Sequence, residues 1–311
     1  MADDTDIISA MTFCWSRERT RMAFFGDAQQ CGPPTRSTAA LHSGLGASLL
    51  GRILEEEPYV LDDPAFVSRL TTTYGLHPAL MHIPGHLFYQ GGVTTELGVK
   101  TPFISWRALP NPVAPIVFHG VRGTATPQDD VGGLCNAQEL SVVIEWVQKM
   151  LEAPELQLAQ KDVAVVALYA MQAKAVRHAL RSLGLNEVEV GTPEELSTRI
   201  FKAAIVTTVC ACRADAVLAA GAGLLSSPRR FCTAVTRAQT LLVVVGHPEV
   251  LTAADVQWAE FVDYCREQEC VTGDHEDDTV VAEVTQNNIA DAPPARVQAV
   301  RSANLPLWRY V

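Results

Sequence analysis

Five short apolar runs, separated by amphipathic segments, dominate the hydrophobic pattern of this chain. The runs cover residues 116–119, 163–168, 188–190, 203–209 and 241–245. They contain few polar positions, which is typical of strands that are buried on both faces of a sheet. The segments between them have helical periodicity. This alternation predicts an α/β fold with a parallel sheet that is covered by helices on both faces.

Start and stop signals delimit the intervening helices. Asn136 is a good N-cap, and Glu139 three residues later predicts a capping box. The helix that follows residue 168 is predicted to end at Gly184. Thr252 together with Asp255 predicts the start of a last helix.

A polar cluster follows an apolar run near the start of the chain. Residues 22–25 are interpreted as a strand, and Gly26, Asp27 and Gln30 come directly after it. Because ligands of α/β sheets bind where strands end, this placement suggests a ligand site with a carboxylate and an amide.

A second polar cluster lies in residues 227–239, just before the last apolar run. Pro228 occupies the first position of a short predicted helix, and the helical spacing puts Arg230 and Arg237 on roughly one side. An arginine held in this way can stabilise charge that develops on a phosphate. An ordinary surface helix with solvated arginines is the alternative interpretation.

The two clusters resemble motifs III and VI of superfamily-1 RNA helicases. Other segments are similar to that group in the same order, namely residues 43–50, 73–78, 83–84, 88–91, 115–121, 190–196 and 258–265, with Tyr169 and Gln172. The match lies in the Upf1-like, Armitage-type branch, the Moloney leukaemia virus 10 homologue family, and covers about residues 21–273. It implies a second RecA-like motor domain over residues 45–273, preceded in residues 1–44 by a remnant of the first.

The resemblance also implies a nucleotide site formed by Gly26, Asp27, Gln30, Tyr74 and Arg237. In such a site Gln30 senses the terminal phosphate and positions water, and Arg237 acts as a cationic clamp. Residues 1–311 contain no G-x-x-x-x-G-K-[ST] phosphate loop and no matching magnesium-binding carboxylate pair. ATP and magnesium are therefore expected only together with a complete first motor domain, and no residue is assigned as a metal ligand.

Several positions depart from the pattern of the resembled family. Gly75 stands where the family has an arginine, and residues 197–200 replace its Gln-Gly-Gln-Glu stretch. Cys232 and Thr233 replace asparagine and valine, and Gln239 replaces a lysine. The apolar framework is kept while polar groups change, which suggests a shape retained after the catalytic function was relaxed.

The charge distribution is uneven. The net charge of −11 argues against general nucleic-acid binding, yet residues 199–237 carry six Lys or Arg and one Asp. A track for single-stranded RNA is predicted there, with solvated surface charges as the alternative. Its residues are Lys202, Arg213, Arg229 and Arg230. Residues 274–311 are predicted to be an acidic, disordered tail.

Composition excludes several other classes. The eight cysteines have no pairing pattern, residues 1–15 do not resemble a leader, and no apolar run approaches the roughly 20 residues of a membrane helix. A cytoplasmic protein with reduced thiols and no membrane partner is therefore expected. His77, His82 and His86 are not assigned to zinc, because Pro84 and Gly85 are predicted to break the helix that would align them.

The leading hypothesis is the C-terminal half of an ATP-dependent RNA helicase that acts in RNA remodelling and small-RNA silencing. Single-stranded RNA and silencing-pathway proteins are its expected partners, and the isolated chain is expected to be inactive. A non-catalytic pseudohelicase that docks RNA or protein is the main alternative. An unrelated α/β nucleotide-binding enzyme is a third.

Overall fold

A six-stranded parallel sheet forms the centre of the protein. The computed structural model describes residues 4–16, 18–33, 35, 37, 39–40, 43–44, 46–61, 63–96, 106–127, 133–209 and 225–274. Its strands are β1 Thr72–Tyr74, β2 Thr94–Glu96, β3 Ile116–Gly120, β4 Ala125–Pro127, β5 Leu134–Asn136, β6 Val163–Ala167, β7 Glu189–Gly191, β8 Phe201–Thr207, β9 Ala238–Gly246 and β10 Val271–Gly273. The central sheet has the order β10-β3-β9-β8-β6-β7, and every neighbouring pair in it is parallel. All five predicted apolar runs lie in or next to this sheet.

Helices cover both faces of the sheet. They are α1 Asp4–Cys14, α2 Leu49–Leu54, α3 Pro78–Tyr89, α4 Ala137–Glu152, α5 Ala170–Ser182, α6 Pro228–Val235, α7 Pro248–Ala254 and α8 Val256–Glu267. α4 and α5 bury Val147 and Val176 against one face. α3, α6 and α8 pack on the other face, where Phe231 and Trp258 are buried. The predicted RecA-like, doubly covered α/β architecture is therefore confirmed.

The alternation of side chains along the strands explains why the strands are almost wholly apolar. In β6, Val163 and Val165 belong to the core on the α4 side, whereas Ala164 and Val166 belong to the core on the α6 side. All five residues of this strand are buried. Since neither face meets water, no position in the strand favours a polar residue.

The N-terminus of α4 differs from the predicted capping box. The Asn136 side chain caps the helix by accepting hydrogen bonds from the backbone N–H groups of Gln138 and Glu139. The Glu139 carboxylate, however, does not return to the Asn136 backbone. It accepts hydrogen bonds from the Thr207 hydroxyl and the Val209 backbone N–H at the end of β8. A tertiary contact thus takes the place of the local one.

The predicted break at Pro84 is also wrong. α3 continues from Pro78 to Tyr89 with Pro84 inside it, and His77 caps its N-terminus through Nδ1. Pro84 and Gly85 are buried against the core, and this packing compensates for the hydrogen bond that proline cannot donate. The predicted stop at Gly184 is confirmed, since this residue has φ +75° directly after α5.

Two shorter helices replace the single one expected after β9. Thr252 lies inside α7, and Asp255 is the N-cap of α8, accepting a hydrogen bond from the Gln257 backbone N–H. The apolar face predicted for this last helix is buried as expected, including Trp258 and Phe261.

The segment before residue 27 does not form the expected strand. Residues 21–27 have no regular structure, and in the described part of the chain no strand pairs with residues 22–25. Phe25 is 91% exposed. An apolar run without a neighbouring strand has no ladder to join, so composition alone does not make it a strand.

Some predicted features lie outside the described residues. These are Arg213, the cysteines at 210 and 212, and residues 275–311 of the predicted tail. Among the helices that the structure describes, none has the length and apolar character required to cross a bilayer.

Candidate functional site

A short loop of residues 27–31, here called the sensor loop, lies against α6 and α3. It begins as a turn in which Asp27 Oδ1 accepts a hydrogen bond from the Gln29 backbone N–H at 2.9 Å, and the Gln30 N–H reaches Asp27 O at 3.3 Å. Aspartate favours such turns because its side chain satisfies the backbone two residues ahead. The turn directs the Gln30 side chain toward the end of α6.

Arg237 follows α6 and is held by the protein through every donor it has. Nε donates to Thr233 O at 2.8 Å, and Nη1 donates to the carbonyls of Ser197 and Arg199 at 2.6 and 2.9 Å. Nη2 donates to Gln30 Oε1 at 2.9 Å and to Thr236 Oγ1 at 3.1 Å. The side chain is buried, and burial lowers the pKa of the guanidinium, which stays charged in proteins.

The Gln30–Arg237 hydrogen bond joins the two polar clusters found in the sequence. The guanidinium carries hydrogen-bond donors and no acceptor, so the atom of Gln30 that it contacts must be the amide oxygen. The amide nitrogen of Gln30 points the other way and donates to Asp27 Oδ2 at 3.2 Å. The chemistry of the two neighbours therefore fixes the orientation of this amide.

Asp27 is in turn bound to α3. The Tyr89 hydroxyl donates to Asp27 Oδ2 at 2.6 Å and lies 3.5 Å from Cys232 Sγ. Burial raises the pKa of the Tyr89 phenol, and it raises the pKa of the Cys232 thiol to about 12. Both groups therefore keep their protons at neutral pH.

The predicted nucleotide residues line one pocket. Its volume is about 450 Å³, and Gly26, Asp27, Gln30, Tyr74 and Arg237 are all part of its wall. It opens at the amino ends of β8 and β9, where Ile200 and Gln239 also contribute. The Tyr74 side chain is 71% exposed, as an aromatic platform for a base would be. That these residues bind a nucleotide stays a prediction.

Gly75 lies in the same wall with a backbone that suits glycine. Its φ is +79°, and a Cβ at this position would lie 3.4 Å from Gln239 Nε2. A side chain with φ in this region is strained. The residue that stands in place of the family's arginine therefore has a conformation that an arginine would not readily adopt.

The three described residues of the predicted RNA track are not brought into one strip. Arg230 is buried, with Nε 2.9 Å from Glu194 Oε1 and Nη2 donating to Leu168 O at the carboxyl end of β6. Lys202 is exposed at the amino end of β8 and pairs with Asp162 at 3.1 Å. Arg229 is partly exposed on α6, and Arg213 lies outside the described residues.

The histidines have separate environments. His77 caps α3, and His82 stacks on Tyr264 with ring centroids 4.7 Å apart. In the described ranges no group of three or more His, Cys, Asp or Glu side chains could hold a metal ion.

Sequence reasoning missed Tyr89 and Thr233 as parts of the site. Tyr89 is 62 residues from Asp27 along the chain, and Thr233, which accepts a hydrogen bond from the Cys31 backbone N–H at 2.8 Å, is 202 residues from that cysteine. Neither residue carries a local signal for these contacts.

The doubly covered parallel sheet is consistent with the class of RecA-like motor domains. A family model described as an AAA domain matches residues 45–249. The chain is 30% identical over 340 residues to "Putative helicase mov-10-B.1" of Danio rerio, covering 99% of this chain and 33% of that protein. It is 31% identical over 276 residues to "Putative helicase MOV-10" of Gallus gallus, covering 81% of this chain and 28% of that protein.

A more distant relative belongs to the same group. "Regulator of nonsense transcripts 1" of Caenorhabditis elegans is 28% identical over 258 residues, which covers 80% of this chain and 22% of that protein. The chain thus spans about a third or less of the length of these relatives. It belongs to the Upf1-like superfamily-1 helicases, in the branch of the Moloney leukaemia virus 10 homologues.

Proposed function

We propose that this chain supplies the half of an ATP site that bears the glutamine and the arginine in an RNA helicase motor. The observation that carries this proposal is the 2.9 Å contact between Gln30 and Arg237 at the wall of a pocket with an exposed Tyr74. An amide can donate to a phosphate oxygen and orient water, and a guanidinium can stabilise charge that develops on the terminal phosphate. Since all five Arg237 donors already bind the protein, Nη2 would have to exchange Gln30 or Thr236 for a phosphate oxygen. ATP is the expected substrate.

Magnesium would have to be held by residues outside this pocket. Asp27 is the one carboxylate among the described residues of its wall, and its two oxygens already accept three hydrogen bonds. Magnesium would supply charge neutralisation on the phosphates. Because residues 1–311 contain no phosphate loop, we expect no ATP turnover by this chain alone.

RNA is the second proposed ligand. Relatives are named as RNA helicases and as a regulator of nonsense transcripts, which favours RNA as the polymer on which the motor acts. We extend this to a cytoplasmic role in RNA remodelling and small-RNA silencing, with single-stranded RNA and silencing-pathway proteins as partners.

A non-catalytic pseudohelicase is the second candidate, and two observations favour it. Gly75 removes a cation from the pocket and has a backbone conformation suited to glycine. Residues 197–200 lack the amides and the carboxylate of the related motif, and the carbonyls of Ser197 and Arg199 instead accept hydrogen bonds from Arg237. Such a protein would dock RNA or protein without hydrolysing ATP.

ATP hydrolysis in a mixed system separates the two candidates. The purified chain is combined with a separately expressed first motor domain from a MOV-10 relative, and phosphate release is measured with single-stranded RNA present. For the ATP half-site we expect turnover in the mixture, and Arg237→Ala should lower it about a thousandfold or more, the size of an arginine-finger effect. Arg181→Ala, an exposed arginine of α5, is the matched control.

Each result has a defined meaning. Turnover that is equal in the mixture and in the first domain alone supports the pseudohelicase. Turnover by the chain alone that depends on Arg237 would show that the missing phosphate loop is not essential here.

A further inference from the structure

The sensor loop is attached to the motor domain by two side chains that nothing in the proposed chemistry requires. We infer that Tyr89 and Thr233 are positioning residues, which hold the loop so that the Gln30 amide faces Arg237. This inference rests on the proposed nucleotide site and adds two residues to it.

The first attachment is a directed chain of hydrogen bonds. The Asp27 carboxylate can accept but not donate, so the single proton of the Tyr89 hydroxyl is given to Oδ2 at 2.6 Å. The Cys232 thiol, 3.5 Å from the same hydroxyl, is then the donor to it. Because burial raises the pKa of the phenol and of the thiol, the direction of these bonds persists through the physiological range.

The Asp27 carboxylate, held in this way, orients the Gln30 side chain. Asp27 Oδ2 accepts from the Gln30 amide nitrogen at 3.2 Å, which leaves the amide oxygen for Arg237 Nη2 at 2.9 Å. Without the Tyr89 hydroxyl, Asp27 Oδ2 would lose its 2.6 Å donor, and water in the pocket could draw this oxygen away from Gln30 although Oδ1 still accepts from the Gln29 N–H. The amide would then lose the neighbour that orients it.

The second attachment joins the loop to the arginine through one residue. The Thr233 hydroxyl accepts from the Cys31 backbone N–H at 2.8 Å, and the Thr233 carbonyl accepts from Arg237 Nε at 2.8 Å. Thr233 is fully buried, so an unpaired Cys31 N–H would have no water to replace its partner. One side of α6 thus fixes both members of the Gln30–Arg237 pair.

Labelling of Cys31 tests this arrangement directly. Cys31 is the last residue of the sensor loop and is buried against α6, whereas Cys270 is buried beside Ala114, just before β10. The full chain is treated with N-ethylmaleimide, and the labelling rate of each cysteine is followed by peptide mass spectrometry. Tyr89→Phe and Thr233→Val keep side-chain shape, and each should raise the Cys31 rate about fivefold, the effect of one lost hydrogen bond. Cys270 reports any global unfolding.

Matched controls and a second background show how Tyr89 acts. Tyr264→Phe and Thr240→Val change a tyrosine stacked on His82 and a threonine bonded to Lys202 O, and should leave Cys31 labelling unchanged. In an Asp27→Ala background the effect of Tyr89→Phe should fall to less than about twofold, because the carboxylate that the Tyr89 hydroxyl binds is gone. A packing role would give the same increase in both backgrounds.

The outcomes are separable from those of the proposed function. Cys31 rates equal to wild type in both variants, or an unchanged Tyr89→Phe effect in the Asp27→Ala background, would overturn the positioning role. If the mixed system with a first motor domain hydrolyses no ATP, the proposed function fails, while the labelling result still decides whether these residues position the loop.

Discussion

Glu139 is a fully buried carboxyl group at the carboxyl end of the sheet. Burial raises its pKa to about 7, against an ordinary value of 4.5, and hydrogen bonds from Thr207 and Val209 oppose this shift. The folded protein therefore binds a proton that the unfolded chain releases between these two values. Its contribution to stability is fully present below pH 4.5 and is lost as the pH rises through about 7.

Glu139→Gln should remove this pH dependence. Relative to the variant, the wild type should lose free energy of unfolding on the order of 3 kcal/mol between about pH 4.5 and pH values above about 7. Urea unfolding of both proteins at about pH 5.5 and about pH 8 should detect about 2 kcal/mol of this difference, because pH 5.5 already lies within the titration range. If the free energy of unfolding changes equally with pH in the wild type and in Glu139→Gln, the raised pKa of Glu139 is contradicted.

Gly75 gives a second test at the residue scale. Gly75→Ala and Gly75→Arg should each lower the free energy of unfolding by about 1 to 2 kcal/mol, because the cost comes from the positive φ. Thermal and urea unfolding of the two variants provide the measurement. A much larger loss for arginine would place the cost in the side chain and its contact with Gln239 instead.

Individual residues of the site were predictable to different degrees. The family resemblance singled out Gln30 and Arg237 as members of one nucleotide site, and their direct hydrogen bond was found only in the structure. The sequence pattern did not predict Tyr89, whose contact with Asp27 depends on how α3 packs. It assigned Glu139 to a local cap, whereas a buried carboxylate takes whichever donors the fold brings to it.

At the scale of elements, buried strands were the most predictable feature. Parallel strands covered on both faces, such as β6, leave a continuous apolar run in the sequence. Residues 22–25 are also apolar but have no strand beside them in the described chain, so the same signal led to a wrong prediction. Pro84 led to the opposite error, because a helix break was predicted where the structure has a continuous helix. Burial of α3 outweighs the local effect of this proline.

Helix α8 offers a comparison between two of its own positions. Trp258 is fully buried, donates from Nε1 to Leu225 O at 3.2 Å and packs edge-on against Phe231. Trp258→Ala should cost about 3 to 5 kcal/mol. Val256→Ala, at a side chain that is 59% exposed, should change stability by less than about 0.5 kcal/mol. Similar losses in urea unfolding would mean that α8 is not anchored by its tryptophan.

At the scale of the whole molecule, the distribution of charge changes the RNA hypothesis. Lys202 lies at the amino end of β8, while Arg230 reaches Leu168 at the carboxyl end of β6. At about 3.3 Å per residue these ends are roughly 20 Å apart. Arg230 also forms an ion pair with Glu194. Replacing Arg230 would therefore disturb a buried ion pair rather than a surface contact.

Single substitutions therefore test RNA binding better than a combined variant. We expect weak binding of labelled single-stranded RNA whose affinity falls steeply with salt, because phosphate contacts release counterions. Arg229→Ser should weaken it and lower the salt slope by about 1. Lys202→Ser should not, because this lysine is paired with Asp162 away from α6. Fluorescence anisotropy at low and moderate salt measures both. No loss in either variant would place the track elsewhere, and equal losses would contradict the distinction between Arg229 and Lys202. No binding at low salt would favour a protein-docking pseudohelicase.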